Sequence, residues 1–255
     1  MTGKLILTFI AMGIGVMVIA VDIAAVTVAL PSVEKDFQTT IGTVEWVVNG
    51  YVLAWDVLMV TCGRLADMFG RKKIFFAGIV VFGAASLAGA LAYNSNMLIS
   101  ARVVQGAGAA LLWPAILGIV YSSVSEKQKG LAVGLILGAA GVGNAAGPLL
   151  GGFLTEFFSW RAVLYFNIPF ALIAAVITYF VVKEKGTGES GGKIDYIGIL
   201  TVSLSLVSLL YAVNQSPSWG WISGKTLALL AVFAVFLVVF ILYERRTTDA
   251  LIPED

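Results

Sequence analysis

Polar residues in this chain are confined to short breaks between long apolar runs. Eight runs stand out: Leu5–Leu30, Val44–Leu65, Ile74–Tyr93, Met97–Tyr121, Leu131–Leu154, Ala162–Val182, Ile197–Val213 and Leu227–Tyr243. Each approaches the roughly 20 apolar residues that cross about 30 Å of hydrocarbon. Lipid offers the backbone no hydrogen-bond partner, so runs of this length are expected to be helical. The pattern predicts an all-α integral membrane protein of about eight spans. The first run stays apolar from Leu5 to Val21 and beyond. A signal-peptide core is only about 7–15 residues long, so this run is expected to be a retained span.

The breaks carry the orientation. With a cytoplasmic N-terminus, the inner segments hold Lys4, Arg64, Arg71, Lys72, Lys73, Lys127, Lys129, Lys183, Lys185, Lys193, Arg245 and Arg246, twelve of the sixteen basic residues. The outer segments hold only Lys35, Arg161 and Lys225, and Arg102 falls near or within a span. Cytoplasmic loops are enriched in Lys and Arg, so both termini are expected to be cytoplasmic. Trp46, Trp160, Trp219 and Trp221 then lie near the outer interface, as an aromatic belt would.

One break differs in composition. Lys183–Asp195 contains Gly186, Gly188, Ser190, Gly191 and Gly192. It reads as a flexible cytoplasmic linker. The expected organisation is a six-helix bundle over 1–182, a glycine-rich linker over 183–195, and a two-helix hairpin with a cytoplasmic tail over 196–255.

Composition excludes several functions. Hydrophobic residues make up 59% and charged residues 12%, with a mean hydropathy of +0.96, far from the roughly 25% charged of a soluble domain. A net charge of +1 points to no nucleic-acid partner. Histidine is absent and Cys62 is the one cysteine. No histidine-based triad or metal site can form, nor can an internal disulfide. No Gly-x-x-x-x-Gly-Lys-Ser/Thr loop occurs, so the chain is not expected to hydrolyse ATP. No catalytic residues, metal or cofactor are therefore expected, and the chain is not read as an enzyme.

The candidate chemistry lies in charges inside the runs. Asp22 sits late in the first, Asp56 in the second and Arg102 near the start of the fourth. A charge at the centre of a span costs about 2.5–3.5 kcal/mol on insertion scales, so each should face water or a partner. A carboxylate beside an arginine in such a place is a candidate proton site. Plainer readings exist for each. Asp22 could be wetted from outside or simply be a structural partner of Arg102. Asp56 could make a structural hydrogen bond, and Arg102 could snorkel.

Two further patterns matter. In Gly63-Arg-Leu-Ala-Asp-Met-Phe-Gly-Arg-Lys-Lys73, Asp67 and Arg71 are four apart and can pair if the turn is helical, while Gly70 permits a sharp turn. A positive-inside loop alone would also explain it. In the fifth run, Gly130, Gly134 and Gly138 recur every four residues, as do Gly143, Gly147 and Gly151. Such spacing puts small residues on one face and allows close helix approach, and Pro148 can kink the helix. Tight packing alone is the alternative.

Together these motifs resemble the major facilitator superfamily, and within it the fourteen-span drug:proton antiporters (EmrB/QacA-like). Gly63, Asp67, Gly70, Arg71 and Lys72 resemble the cytoplasmic signature between spans two and three, with Met68 in place of the usual basic residue. Asp22–Pro31 is similar to the first-span motif of the fourteen-span group, with Ala24 and Thr27 where that group usually has Thr and Asn. Arg102, Gln105 and Gly106 resemble the span-four motif, whose arginine is implicated in proton coupling. Gly143, Gly147, Pro148, Gly151 and Gly152 resemble the span-five antiporter motif. Trp46, Tyr51 and Leu53 also fit.

The resemblance implies that spans one to six form the N-terminal bundle and that spans seven and eight are the extra hairpin. It also implies that a C-terminal six-helix bundle is missing from this polypeptide. Superfamily transporters bind cargo between two bundles that rock about a central site. The implied function is proton-coupled efflux of hydrophobic or cationic compounds from the cell membrane, with protons loading Asp22 and secondarily Asp56, and Arg102 tuning the carboxylate. The implied partners are small-molecule substrate, protons, lipid, and a missing bundle or second half-transporter chain. Two alternatives stay open: a half-length interaction module that does not transport alone, and a metabolite carrier of the same fold.

Overall fold

The computed structural model describes residues 3–183 and 196–244. The linker 183–195, apart from Lys183, and the tail 245–255 lie outside the described residues. Eight helices follow one another: α1 Gly3–Phe37, α2 Ile41–Phe69, α3 Arg71–Ala90, α4 Ser95–Ser123, α5 Lys129–Phe157, α6 Trp160–Val181, α7 Tyr196–Trp219 and α8 Gly224–Glu244, with one 3₁₀ turn, Glu126–Gln128, before α5. All eight are long and apolar enough to cross a membrane. The chain is a multi-pass membrane protein.

The helices overrun the apolar stretches. At 1.5 Å per residue α1 is about 50 Å long, so its polar last turns, with Lys35 and Asp36, project beyond the apolar stretch. The second helix continues past Leu65 to Phe69, making most of the expected α2–α3 loop helical. Gly70 alone breaks it, at φ 103°, and α3 starts on the next residue. That φ is open to glycine and strained for residues with a Cβ.

Packing order, not chain order, places the functional residues. The most extensive contacts are α1 with α5, α2 with α4, α3 with α4, and α7 with α8, followed by α1 with α6. Helix α1 is thus central, touching α2, α4, α5 and α6. Small residues set the closeness of these contacts. Gly106 of α4 lies against the Tyr51 carbonyl of α2, where a Cβ would collide with backbone. Gly108 of α4 lies against Phe82 of α3, its missing Cβ falling 2.6 Å from the Phe82 backbone nitrogen. The hairpin leans on the bundle through α7, whose Tyr211 ring stacks on Trp46 of α2 at 5.6 Å. Among the described residues α8 packs on α7 alone.

The glycine stripe of α5 divides into two parts with opposite surroundings. Cβ atoms at Gly143, Gly147 and Gly151 would meet Met17, Ala20, Val21, Ala24 and Ala25 of α1; at Gly151 the Ala25 backbone is 2.6 Å away. Cβ atoms at Gly130, Gly134, Gly138 and Gly152 would meet nothing within 4 Å. The expected close approach therefore holds only for the second triplet. The five-residue step from Gly138 to Gly143 turns the stripe by about 140° at 3.6 residues per turn, which moves the first triplet off the α1 face. Helix α5 passes through Pro148 as one element.

Candidate functional site

Asp22 of α1 sits where α1 meets α4 and α6, and its surroundings are polar on every bonded side. Arg102 Nη1 of α4 donates to Asp22 Oδ2 at 2.6 Å. Gln105 Nε2, one turn further along α4, donates to Oδ1 at 3.2 Å. Asn167 Nδ2 of α6 donates to the same oxygen at 2.6 Å. Asp22, Arg102, Gln105 and Asn167 have no exposed surface.

The arginine is held from several directions. Its Nε donates to the Val47 carbonyl of α2 at 3.1 Å and its Nη1 also donates to Gln105 Oε1 at 2.8 Å. Its guanidinium carbon stands 4.1 Å from the centroid of the buried Tyr51 ring. A cation so placed over a ring is attracted by about 0.5–2 kcal/mol, more when desolvated. The Gly106 contact allows this stack, because it brings the Tyr51 backbone onto α4. Arg102 lies seven residues into α4 and does not snorkel.

On the far side the network continues through Asn167 Nδ2 to Ser86 Oγ of α3 at 3.0 Å, and Ser86 donates to the Leu164 carbonyl at 2.9 Å. One cluster thus ties α1, α2, α3, α4 and α6. Three of its polar atoms have no partner among the described residues: Arg102 Nη2, the Tyr51 hydroxyl and Asn167 Oδ1. Every described group bonded to the Asp22 carboxylate is a donor.

Sequence reasoning identified Asp22, Arg102, Gln105 and Tyr51 but passed over Asn167 and Ser86. The available signal was weak, an amide in Phe-Asn-Ile-Pro and a serine in a small-residue stretch. Asp56 is not part of this cluster. It is exposed on α2, with Asn49 and Glu45 two and three turns away on the same face.

The Gly63–Lys73 signature forms a second locus. Arg71 donates through Nη2 and Nε to Asp67 Oδ1, at 3.1 and 3.3 Å, across the Gly70 break. Its Nη1 donates to the Gly118 carbonyl of α4 at 2.8 Å. A Cβ at Gly118 would fall 2.5 Å from Arg71 Cδ, so that glycine makes room for the arginine. Lys72 Nζ donates to the Tyr179 and Val182 carbonyls, at 3.1 and 2.5 Å, and satisfies the C-terminal end of α6. Helix C-termini leave such carbonyls unpaired and favour cations. Gly63 lies 3.7 Å, measured from its missing Cβ, from Pro114 of α4. The signature therefore joins α2 and α3 to α4 and α6.

Known proteins share both the pattern and the fold. The Major Facilitator Superfamily profile matches residues 12–251. The tetracenomycin C resistance and export protein of Streptomyces glaucescens is 32% identical over 96% of this chain and 46% of its own length. The puromycin resistance protein of Streptomyces alboniger is 38% identical over 93% of this chain and 47% of its own. The methylenomycin A resistance protein of Bacillus subtilis is 32% identical over 96% and 52%. The chain spans about half the length of these relatives. The POT family transporter PepTSo superposes with a TM-score of 0.67 at 12% identity, over 96% of this chain and 54% of that one, a likeness of fold. By its matched profile and its bundle, this chain belongs to the Major Facilitator Superfamily.

Proposed function

We propose that this chain is the N-terminal part of a secondary transporter that exports hydrophobic or cationic small molecules in exchange for protons. The observation that carries this reading is the donor-saturated Asp22 carboxylate, buried against Arg102 at 2.6 Å. Replacing a whole buried ion pair by well-packed apolar residues is often neutral or stabilising, so such a pair is a poor device for stability alone. A carboxylate that can take a proton there changes its bonds to α4 and α6 at one stroke. That couples its charge to the relative position of helices that are packed on glycine. The relatives' names as resistance and export proteins support efflux, and no enzymatic role is proposed.

The remaining machinery is assigned as follows. Asp22 is the proton-loading group, Arg102 its counter-charge, and Asp56 a secondary acidic group for cargo or protons. Asp67, Gly70, Arg71 and Lys72 brace the cytoplasmic end. The chain organises as a six-helix bundle over 1–182, a linker, and a hairpin over 196–255. It lies in the cell membrane with both termini cytoplasmic, supported by the distribution of basic residues. The other half of the transport path comes from a second bundle, in the same or another polypeptide.

A second reading, that of an interaction module, is favoured by the open glycine face of α5 and by Asp56, an acid exposed within a span. Mass measurement of the purified chain in mild detergent separates the two, because a stable monomer argues against assembly. The transport reading is tested in cells carrying the assembled transporter, by following efflux of a fluorescent hydrophobic cation. Efflux is expected to stop with a protonophore and with Asp22→Asn. Full efflux by Asp22→Asn would remove Asp22 from the mechanism.

A further inference from the structure

We infer that Asn167 is the positioning residue that lets Asp22 hold a proton, by turning its side-chain amide when the carboxylate becomes neutral. The inference rests on the proton-loading role proposed for Asp22.

A protonated carboxyl group needs an acceptor for its new hydrogen. At Asp22 neither oxygen has one as the site stands. Oδ2 faces Arg102 Nη1, a donor that has no acceptor capacity. Oδ1 faces two amide nitrogens, from Gln105 and Asn167. A proton on either oxygen would meet donor against donor. An amide can turn about its terminal bond and exchange nitrogen for oxygen, so one of the two must turn.

The two amides are not equivalent. Gln105 Oε1 already accepts from Arg102 Nη1 at 2.8 Å. Turning it would place its NH2 against the arginine and leave two donors facing each other. Asn167 Oδ1 has no partner, although the whole residue is buried. A buried acceptor without a donor costs about 1–3 kcal/mol; turning the amide aims Oδ1 at the new Asp22 hydroxyl and moves the NH2 to the place Oδ1 leaves, so no Asn167 acceptor bond is sacrificed. The turn exchanges the Asn167 Nδ2 bond to Asp22 Oδ1 for one from the new Asp22 hydroxyl, and it breaks the Asn167 Nδ2 bond to Ser86 Oγ at 3.0 Å. Ser86 can replace it by rotating its hydroxyl from the Leu164 carbonyl to the turned Asn167 carbonyl.

Among the described residues, no acceptor other than these two amides belongs to a group bonded to Asp22. Helix α5 presents Gly143, Gly147 and Gly151 to α1. Arg102 of α4 and Tyr51 of α2 are the charged and titratable groups nearby. Tyr51 lies under the guanidinium and its hydroxyl bonds to no described group. Protonation of Asp22 would then be felt in α6 and α3 through Asn167 and Ser86, while Gln105 keeps Arg102 in place.

The test is pH-difference infrared spectroscopy on the purified full chain in lipid nanodiscs. Asp22 is assigned by the carboxyl band that Asp22→Asn loses. The Asn167 carbonyl is assigned by the amide feature that Asn167→Leu loses. The expected result is a downshift of the Asn167 carbonyl, from unbonded to bonded, with the same midpoint as the Asp22 band. Ser86→Ala provides a second variant if Asn167→Leu does not fold. It should keep the coupled feature at a shifted frequency, because Ser86 is the second group facing the turned carbonyl. An Asp22 band with no coupled amide feature would overturn the Asn167 role and leave the proton role of Asp22 standing. No titrating Asp22 band would overturn both.

Discussion

The carboxylate of Asp22 and the guanidinium of Arg102, eighty residues apart in the chain, meet at 2.6 Å with neither side chain exposed. The pair fixes α1 against α4, and the surrounding donors divide its oxygens between α4 and α6. Removing one member should therefore hurt more than removing both. Arg102→Leu is expected to lower stability by about 3–5 kcal/mol, because it leaves an unpaired buried carboxylate. Arg102→Lys is expected to restore little, since an ammonium cannot reach the Val47 carbonyl, Gln105 and Asp22 as a fork does. Thermal melts in detergent of both single variants and of Asp22→Leu/Arg102→Leu measure this; a double variant weaker than Arg102→Leu would contradict it.

The contact between α1 and α5 depends on missing Cβ atoms. Gly151→Val puts a side chain where the Ala25 backbone lies 2.6 Å from the first carbon. It should cost upward of about 1–3 kcal/mol, the usual scale of overpacking. Gly134→Ala and Gly138→Ala meet open space and should gain up to about 1 kcal/mol of helix propensity. Equal effects on melting at Gly151 and Gly134 would show that the two glycine triplets share one environment.

The Gly63–Lys73 signature should divide into a strong and a weak part. The Asp67–Arg71 pair is exposed, with side-chain exposures of 52% and 39%. Exposed pairs contribute about 0–1 kcal/mol, so Asp67→Asn should barely change stability. Arg71→Ala also loses the bond to the Gly118 carbonyl on α4, and Gly118→Val should displace the arginine without touching its charge. Melting temperatures are expected to fall more for Arg71→Ala and Gly118→Val than for Asp67→Asn. A ranking led by Asp67→Asn would place the importance in the ion pair instead.

Beyond the apolar part of α1 a small clasp should be sensitive to acid. Asp36 accepts from Arg161 Nη1 at 2.7 Å and from the Trp160 indole at 3.0 Å. The Arg161 bond first, and then the Trp160 bond, hold its carboxyl below the ordinary value of 3.8. A carboxylate with a lowered folded pKa stabilises the fold above its unfolded value. That contribution is thus complete above about 3.8 and disappears as pH falls through the lower folded value. The group is largely exposed, so the effect is small. Melting of Asp36→Asn should converge with that of the parent chain in acid and lie below it at neutral pH; a constant gap would remove Asp36 from the acid response.

Hydropathy made the eight helices legible, because an apolar run of about 20 residues in lipid satisfies its own backbone hydrogen bonds as a helix. The Asp22–Arg102 pair was legible because charge inside a span needs a reason. The Asp67–Arg71 pair followed from four-residue spacing, although the helix runs further than the apolar residues do. What escaped was uncharged or depended on packing. Asn167 and Ser86 carry no charge to mark them, and only the packing of α6 and α3 brings them to Asp22. Spacing shows that Gly130, Gly134 and Gly138 share a face but not what that face meets. Gly118 looks like any glycine in a span until Arg71 is seen lying across it.

Exchange of a proton for cargo at Asp22, as proposed above, requires that cargo binding release protons. The assembled transporter, in weakly buffered detergent with a pH-sensitive dye, is mixed with a hydrophobic organic cation. Protons should be released by the parent protein and not by Asp22→Asn. Equal release from both, with equal binding of the cation, would contradict the account.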